Sequence, residues 1–395
     1  MRVSLILLLL SAPAMAGAQA RPAESWAALV QAAGAYARDD SVVGWSVVQV
    51  RGGQIVNHYE AGLADRSVGQ KVDENTLYHW ASTTKTMTAV AILQLRDRGV
   101  LSLDDKVTKW IPELRRVHNP FGSMDDITIR MLLSHSAGFQ NPTWPYKHGR
   151  PWEPFEPMDW EQLVAMMPYQ EILFLPGSRY SYSNPGFIYL GRIIELITGD
   201  PFQVYIQKNI WTPLGMTRSY FNYTPRHLES FRSNSYSRYR DTTGGRRRDT
   251  LVANGREFHT GITTANGGWN GPLADAGRWV AFLLGAPPGD TARSRLYDMI
   301  LRRSSIEEMW RPVVPVDSTQ SRSMGLSFFI TTRNGTRYLD HSGDQQGFHL
   351  FMLLAPASGA AVIFAFNTSP GDDQPAPASY EAMLTTAASV LKASR

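Results

Sequence analysis

The spacing of apolar residues near the start of the chain predicts a helix followed by a β-hairpin. Residues 26–38 place apolar side chains at the three- and four-residue intervals of one helical face. Two runs rich in β-branched and aromatic residues follow, at 42–50 and 54–61, and the pair Gly52-Gly53 separates them. Glycine pairs suit the tight turn of a hairpin, because both turn positions need positive φ angles. We therefore expect a helix and then two antiparallel strands.

The pattern near the other end is again that of strands. Apolar runs at 325–331, 338–341, 348–354 and 361–366 are separated by turn-forming residues. Helical spacing returns after the last of them, at 379–391. Consecutive strands joined by short turns pair antiparallel, so a sheet with a helix closing the chain is expected here.

The middle of the chain has the periodicity of helices. Apolar residues recur at helical spacing in four segments, at 127–133, 160–167, 185–198 and 274–284. Gly199 is suited to end the third of these helices. We therefore predict an α/β (α+β) fold, in which an antiparallel sheet built from both termini is flanked by helices and carries an inserted all-helical subdomain.

The same pattern divides the chain into subdomains. Residues 21–90 and 300–395 are assigned to the sheet subdomain, and residues 91–299 to the helical subdomain with its loops. An active site is expected where the two meet. Residues 141–158 are crowded with Pro, Trp, Tyr and Phe, which predicts a long ordered loop of the kind that often forms a binding lip.

Residues 1–20 have the organisation of a signal peptide. Arg2 precedes a short apolar run, and the small residues around Ala16 and Ala20 provide two cleavage sites of the Ala-x-Ala type. The apolar run is too short for a mature membrane span. The protein is therefore expected to be exported, periplasmic or secreted, with no stable membrane insertion after cleavage, and the alternative is an uncleaved anchor.

Composition narrows the chemistry. The hydrophobic content is 43%, the charged content is 19% and cysteine is absent, which describes a globular protein without disulfides, thiol nucleophile or thiolate metal site. The net charge is +4, and arginine residues are concentrated in the stretch 226–248. Such a stretch can attract an anionic polymer, but it is more often a solvated loop and no nucleic-acid motif accompanies it. We therefore expect no nucleic-acid partner, no metal and no cofactor.

The first candidate catalytic motif is Ser82-Thr83-Thr84-Lys85, at the start of a helical pattern. Residues three apart share one helical face, so Lys85 is expected beside the Ser82 hydroxyl. A serine needs an adjacent base or cation to become a good nucleophile, and a lysine can serve as either, depending on its protonation. A helix start also offers free N–H groups to an acyl oxygen. The alternative is that Ser82 only caps the helix and Lys85 lies on its surface.

The second motif is Tyr182-Ser183-Asn184, which follows a Pro-Gly turn. A phenol close to a lysine ammonium loses its proton more easily, so Tyr182 could act as general base and then as general acid. Asn184 can both donate and accept, which suits a contact with Lys85 and a substrate amide. The alternative is a polar turn that caps the next helix.

The third motif is His341-Ser342-Gly343, at the start of an apolar strand pattern. A strand edge beside the serine would supply a second N–H to the acyl oxygen, and the amide of Asp344 is the expected donor. Gly343 would allow substrate to approach the main chain closely. A protonated His341 could bind a substrate carboxylate, although a lone histidine is more often a structural residue.

In this order the three motifs resemble those of the penicillin-recognising serine hydrolases related to class C β-lactamases. Supporting segments lie at 131–138, 176–184 and 211–216, so the resemblance covers essentially the whole mature chain. It implies an α/β sandwich with a helical subdomain and an acyl-enzyme mechanism. It also implies a small-molecule or short-peptide substrate.

The resemblance assigns roles to individual residues. Ser82 would be the nucleophile, Lys85 its activating partner and Tyr182 the general base. Asn184 would contact substrate and Lys85, and the amides of Ser82 and Asp344 would form the oxyanion hole.

The third motif departs from the pattern of class C β-lactamases, which carry Lys where this chain carries His341. A substrate carboxylate would lose an anchor there. The departure resembles the D-alanyl-D-alanine carboxypeptidases, D-aminopeptidases and esterases of the superfamily, and favours cleavage of an ester or amide. The alternatives are a true class C-like β-lactamase and a non-catalytic protein that binds penicillin or peptide.

Overall fold

The computed structural model describes residues 25–139, 157–241, 248–319, 321–333, 335–370 and 376–392. The predicted signal peptide, nearly all of the loop predicted at 141–158 and residues 242–247 of the arginine-rich stretch lie outside these ranges. Within them, no helix is both long enough and apolar enough to cross a membrane.

Helices occupy both ends and much of the middle of the chain, and the predicted helical segments are confirmed with small shifts of their ends. Gly199 ends the helix that precedes it, with a φ angle of +73°. The helices are α1 (Trp26–Asp39), α2 (Thr84–Asp97), α3 (Val107–Trp110), α4 (Ile129–Leu133), α5 (Trp160–Met166), α6 (Asn184–Thr198), α7 (Phe202–Ile206), α8 (Thr212–Leu214), α9 (Thr264–Gly267), α10 (Leu273–Leu284), α11 (Thr291–Ile300), α12 (Arg303–Met309) and α13 (Ala378–Lys392).

The strands concentrate near the two ends of the chain. They are β1 (Gly44–Arg51), β2 (Gln54–Asp65), β3 (Gln70–Lys71), β4 (Leu77–His79), β5 (Tyr220–Phe221), β6 (Ser235–Asp241), β7 (Arg248–Gly255), β8 (Trp269–Pro272), β9 (Val314–Pro315), β10 (Arg322–Met324), β11 (Phe329–Arg333), β12 (Thr336–Gln345), β13 (Phe348–Ala355), β14 (Ala360–Phe366) and β15 (Thr368–Pro370).

The main sheet has nine strands in the order β3-β2-β1-β14-β13-β12-β11-β10-β9, and all neighbours are antiparallel. Strand β1 pairs with β14, with Val47 opposite Phe364, so strands from the two ends of the chain lie side by side. The hairpin predicted between β1 and β2 forms around Gly52 and Gly53, whose φ angles are +55° and +74°. The predicted sheet and the mixed α/β class are confirmed.

Both faces of this sheet are buried, because alternate side chains of each central strand enter two different cores. Helices α1 and α13 cover one face, where Val47 and Phe364 belong to a core shared with Leu29 of α1. Helices α2 and α10 cover the other face, where Val48 and Ile363 belong to the larger core. The strands therefore lack the apolar and polar alternation of a one-sided sheet.

Helix α2 runs through the middle of the larger core. Every residue from Thr84 to Leu95 is buried, including its threonines and Lys85. Buried hydroxyls need partners, and those of Thr84, Thr86 and Thr88 donate to carbonyl groups. The start of α2 is therefore fixed on all sides.

The inserted region is not purely helical, which corrects the expectation of an all-helical subdomain. Strand β8 pairs with β4 and β5, and strands β6 and β7 form a hairpin that pairs with β15 near the C-terminal end. Apart from the β6–β7 pair itself, these short strands pair with segments that are distant in the sequence. Local periodicity therefore could not reveal them.

The arginine-rich stretch at 226–248 is correspondingly not a solvated loop throughout. Arg238 of β6 is 0% exposed, and one of its guanidinium nitrogens lies 2.6 Å from a carboxylate oxygen of Asp40, which is also fully buried. Arg232 is buried as well. Part of this stretch therefore holds the β6–β7 hairpin to the rest of the fold.

Candidate active site

Ser82 lies in a tight helical turn, Ala81–Thr83, that leads directly into α2. Ala81 has a φ angle of +45°, an uncommon value for a residue with a side chain, which bends the chain out of β4 and into this turn. Ala81 and Thr83 are buried, whereas Ser82 is partly exposed. Thr83, not Ser82, precedes the first residue of α2, so Ser82 is not the cap of that helix. Its hydroxyl is free to meet a ligand.

Lys85 lies beside Ser82, as the three-residue spacing predicts. Its Nζ donates hydrogen bonds to Ser82 Oγ at 3.0 Å and to the carbonyl oxygen of Asn266 at 2.8 Å. The side chain is fully buried, and burial lowers the pKa of Lys85 well below its usual range. Burial therefore disfavours the ammonium and favours the neutral amine, which is the form that can accept a proton from Ser82.

Tyr182 completes the surroundings of the serine. Its hydroxyl hydrogen-bonds with the Ser82 side chain, and Lys85 Nζ lies 5.0 Å from the centre of its ring. Burial raises the pKa of Tyr182, and the hydrogen bond to Ser82 offsets this only in part. Burial thus opposes loss of the phenol proton, and it also disfavours the lysine ammonium that was expected to ease this loss.

His135 fixes the Tyr182 ring, and the sequence did not single it out. The two rings stack with their centres 4.3 Å apart, and the Ser183 amide donates to His135 Nδ1 at 3.0 Å. Burial lowers the pKa of His135 well below its usual range, so the ring is neutral and carries its proton on Nε2. Its place between two serines, within the segment 131–138, was the only signal available.

Asn266 is a second residue that sequence patterns did not identify. Its carbonyl accepts from Lys85, and its side-chain Nδ2 donates to Asn184 Oδ1 at 3.3 Å. Asn184 is the first residue of α6, and Asn266 lies in α9. Asn266 therefore links the predicted Asn184 to the predicted Lys85. Because every residue has a main-chain carbonyl, the sequence could not identify Asn266 as the partner of Lys85.

His341 is buried against Tyr182, with the two ring centres 6.4 Å apart. Its Nδ1 lies 2.7 Å from the Ser342 carbonyl oxygen, so Nδ1 carries the proton and donates it there. Burial lowers the pKa of His341 to about 3. The expectation that a protonated His341 binds a carboxylate is therefore wrong near neutral pH, because the ring is uncharged. Its Nε2 remains a hydrogen-bond acceptor.

The side chains of the third motif and of the residues after it point alternately to the two faces of β12. Gly343 lies against the turn that carries Ser82, since a Cβ atom there would be 2.3 Å from the carbonyl oxygen of Trp80. Gln345, two residues on, contacts His79 on the same face. The side chains of Ser342 and Asp344 alternate to the opposite face, toward α13. Only their main-chain groups can therefore reach the serine.

The edge of β12 nearest the serine is open. Strand β11 pairs with β12 only as far as Asp340, so the segment from His341 to Gln345 has no strand neighbour on that side among the described residues. An open strand edge presents N–H groups to a ligand. The structure thus brings Ser82, Lys85, Tyr182, Asn184, His341 and Gly343 around one point, with the main chain of Asp344 at its border.

The geometry has clear counterparts among known proteins. The family model described as Beta-lactamase matches residues 26–386. Esterase EstB from Burkholderia gladioli is 33% identical over 189 residues, which are 45% of this chain and 47% of that protein. The matched segment therefore spans less than half of the esterase.

Solved structures with the same fold cover most of the chain. The octameric penicillin-binding protein homologue from Pyrococcus abyssi superposes with a TM-score of 0.73 at 27% identity, over 92% of this chain and 77% of that chain. A D-stereospecific amidohydrolase from Streptomyces sp. superposes with a TM-score of 0.66 at 25% identity, over 87% and 94% of the two chains.

The contact between Gly343 and Trp80 predicts that Gly343→Ala is destabilising. The added methyl group would overlap the Trp80 carbonyl oxygen and push the Ser82 turn away from β12. Overpacking of this kind costs about 1–3 kcal/mol, measurable as a lower free energy of unfolding in urea. Gly34→Ala in α1 is the control, because there is room for its methyl group. An unchanged unfolding free energy for Gly343→Ala would contradict the close packing.

Three buried histidines predict a loss of stability in acid. Burial lowers the pKa values of His79 to about 4 and of His341 to about 3, and that of His135 falls well below its usual range. In the unfolded chain each titrates near 6.5. Below that pH the unfolded state binds protons that the folded state does not, so stability is full above about pH 6.5 and falls on acidification.

Each such histidine contributes a slope of up to about 1.4 kcal/mol per pH unit to the free energy of unfolding. We expect His79→Gln to lower the slope of the unfolding free energy against pH between pH 6 and 4.5. The decrease should correspond to about one fewer proton taken up on unfolding, measured by urea unfolding at several pH values. Gln54 is exposed and does not titrate, so Gln54→Ala should keep the wild-type slope. An identical slope for wild type and His79→Gln would show that His79 is not held neutral.

Proposed function

We propose that this chain, which belongs to the beta-lactamase family, is a serine hydrolase that cleaves an ester or amide through an acyl-enzyme on Ser82. The observation that carries this proposal is the fully buried amine of Lys85 at 3.0 Å from Ser82 Oγ, where burial lowers its pKa and so favours the neutral form. A surface lysine would be protonated and would have no capacity to accept the serine proton. The arrangement is that of a nucleophile with its base.

Acylation begins when Ser82 Oγ attacks the carbonyl carbon of the substrate. Its proton passes to Lys85 Nζ, which becomes an ammonium held by the Asn266 carbonyl. The positive charge then lies beside the developing negative charge on the substrate oxygen. The amides of Ser82 and Asp344 donate to that oxygen, in an oxyanion hole between the turn before α2 and the edge of β12.

Tyr182 completes the proton transfers. Because burial raises its pKa, the phenol enters the reaction protonated. Its hydroxyl can give a proton to the leaving oxygen or nitrogen, and the phenolate that results takes a proton back from the Lys85 ammonium, which lies 5.0 Å from the centre of the Tyr182 ring. Deacylation by water follows the same steps in reverse, with the water in the place of the leaving group.

The neutral site favours an uncharged acyl substrate. With His341 uncharged, the third motif supplies a hydrogen-bond acceptor and no cation for the carboxylate of a β-lactam. The similarity to esterase EstB agrees with this preference. The substrate class is therefore a small ester or a short D-amino-acid amide, and the pattern of residues 1–20 supports hydrolysis outside the cytoplasm.

Replacing the nucleophile tests the proposal directly. Ser82→Ala should abolish both hydrolysis of a short-chain p-nitrophenyl ester and labelling by a fluorescent phosphonate, because the bond to Ser82 Oγ can no longer form. Ser102→Ala, an exposed serine beyond the end of α2, is the control and should match wild type.

Three outcomes would change the assignment. Equal activity of wild type and Ser82→Ala would remove Ser82 from the chemistry. Labelling by a fluorescent penicillin without turnover of esters, D-amino-acid amides or cephalosporins would identify a non-catalytic penicillin-binding protein. Cephalosporin turnover above ester turnover would instead identify a β-lactamase.

Tyr182→Phe isolates the role of the phenol hydroxyl. The phenyl ring can keep its stacking on His135, so the fold should persist while kcat falls by about 100- to 10,000-fold, the usual contribution of general acid and base catalysis. Stopped-flow measurement of p-nitrophenol release, with circular dichroism as the check on folding, separates the two effects. A turnover rate equal to wild type would exclude Tyr182 from the proton transfers.

A further inference from the structure

A polar cluster lies on the α13 face of the sheet, directly behind the predicted oxyanion donor. One Asp344 carboxylate oxygen is 3.1 Å from His349 Nδ1, and the other accepts a hydrogen bond from Ser369 Oγ at 2.6 Å. His349 Nε2 is 3.3 Å from the hydroxyl of Tyr380 in α13. We call Asp344, His349, Ser369 and Tyr380 the Asp344 clamp.

The partners of the clamp fix its hydrogen bonding. The Asp344 carboxylate can only accept, so His349 Nδ1 carries a proton and donates it. In that tautomer Nε2 accepts from the Tyr380 hydroxyl. Each carboxylate oxygen of Asp344 thus has its own donor, and the side chain is held at two points. The carboxylate lies on the face of β12 away from Ser82.

The turn next to the clamp is also held firmly. Asp344 and His349 are cross-strand partners in β12 and β13, and Gln346 and Gly347 form the turn between them with φ angles of +50° and +79°. The Gln346 carbonyl accepts from Ser235 Oγ at 2.5 Å and from Asn254 Nδ2 at 3.1 Å. The β6–β7 hairpin therefore holds this turn in place through two hydrogen bonds to the Gln346 carbonyl.

Strand β15, which pairs with the same hairpin, carries the clamp's second donor, Ser369. Strand β15 pairs with β6, which places Ser369 opposite Ser237. Arg238, the next residue of β6, forms the buried ion pair with Asp40. Strand β6 of the arginine-rich stretch therefore supports β15, and Ser369 of β15 donates to the Asp344 carboxylate.

We propose that His349 and Ser369 are positioning residues for hydrolysis, which hold the Asp344 carboxylate so that the Asp344 amide faces the acyl oxygen on Ser82. This inference rests on the proposed function of the site. An oxyanion donor is effective only within a few tenths of an ångström of its best position, and a backbone amide moves with the side chain that anchors its peptide. The clamp also keeps a negative carboxylate away from the developing oxyanion.

A comparison of oxygen and sulfur substrates measures this role. The carbonyl oxygen of p-nitrophenyl acetate becomes a strong acceptor in the oxyanion hole, whereas the sulfur of its thiono analogue is a weak acceptor and gains little there. His349→Ala and Ser369→Ala should each lower kcat/KM for the oxygen ester by about tenfold and leave the thionoester nearly unchanged. The ratio of the two rates should therefore fall about tenfold.

Conservative variants separate positioning from simple packing. Asn at position 349 places an amide N–H where Nδ1 lies, so His349→Asn should keep most of the wild-type ratio. Gln reaches the Nε2 position instead, toward Tyr380, so His349→Gln should resemble His349→Ala. His58→Ala is the matched control, since it removes another histidine–carboxylate contact of 3.1 Å from strand β2 of the same sheet.

The outcomes distinguish this inference from the proposed function. If Ser82-dependent turnover is present but both rates fall in equal proportion, or the ratio does not change in either Ala variant, the clamp does not position the amide. Equal ratios for His349→Asn and His349→Gln would also overturn it. If wild type shows no Ser82-dependent turnover, the proposed function fails first.

Discussion

The burial of one amine determines the character of this site. Lys85 lies at the start of a buried helix, and among the described residues its hydrogen-bond partners are the serine hydroxyl and a backbone carbonyl, with no carboxylate. Desolvation lowers its pKa and so disfavours its charged form. The same desolvation keeps His135, His341 and Tyr182 uncharged, so the free site is a set of neutral donors and acceptors. Charge appears there only when the reaction creates it.

The parts of the site that depend on local geometry could be predicted from the sequence. The spacing from Ser82 to Lys85 is short, and helical geometry alone brings the two side chains together. The order of the strands at the two ends likewise follows from their periodicity and turns. Local spacing is a sufficient guide where the partners are close in sequence.

The parts that depend on burial or on distant segments could not be predicted. The Asn266 carbonyl is 181 positions from Lys85, and any residue type could supply it. The charge of His341 depends on how deeply it is buried, and the residues around it do not reveal that depth beforehand. Arg238 also belongs to a stretch whose composition suggests solvent exposure, yet its partner Asp40 lies 198 positions away. In each case the residue's partner, charge or burial depends on tertiary contacts that its residue type does not specify.

The pairing of β1 with β14 has a consequence for how the protein is made. Trp45 lies opposite Phe366, so β1 can pair with β2 early, but its other neighbour, β14, is synthesised about 310 residues later. The nucleophile and its lysine are therefore synthesised long before β12 can border them. Because contacts of such long sequence range form late and slowly, a partly synthesised chain lacks a complete pocket. The proposed hydrolysis therefore requires the last strands of the sheet to be in place.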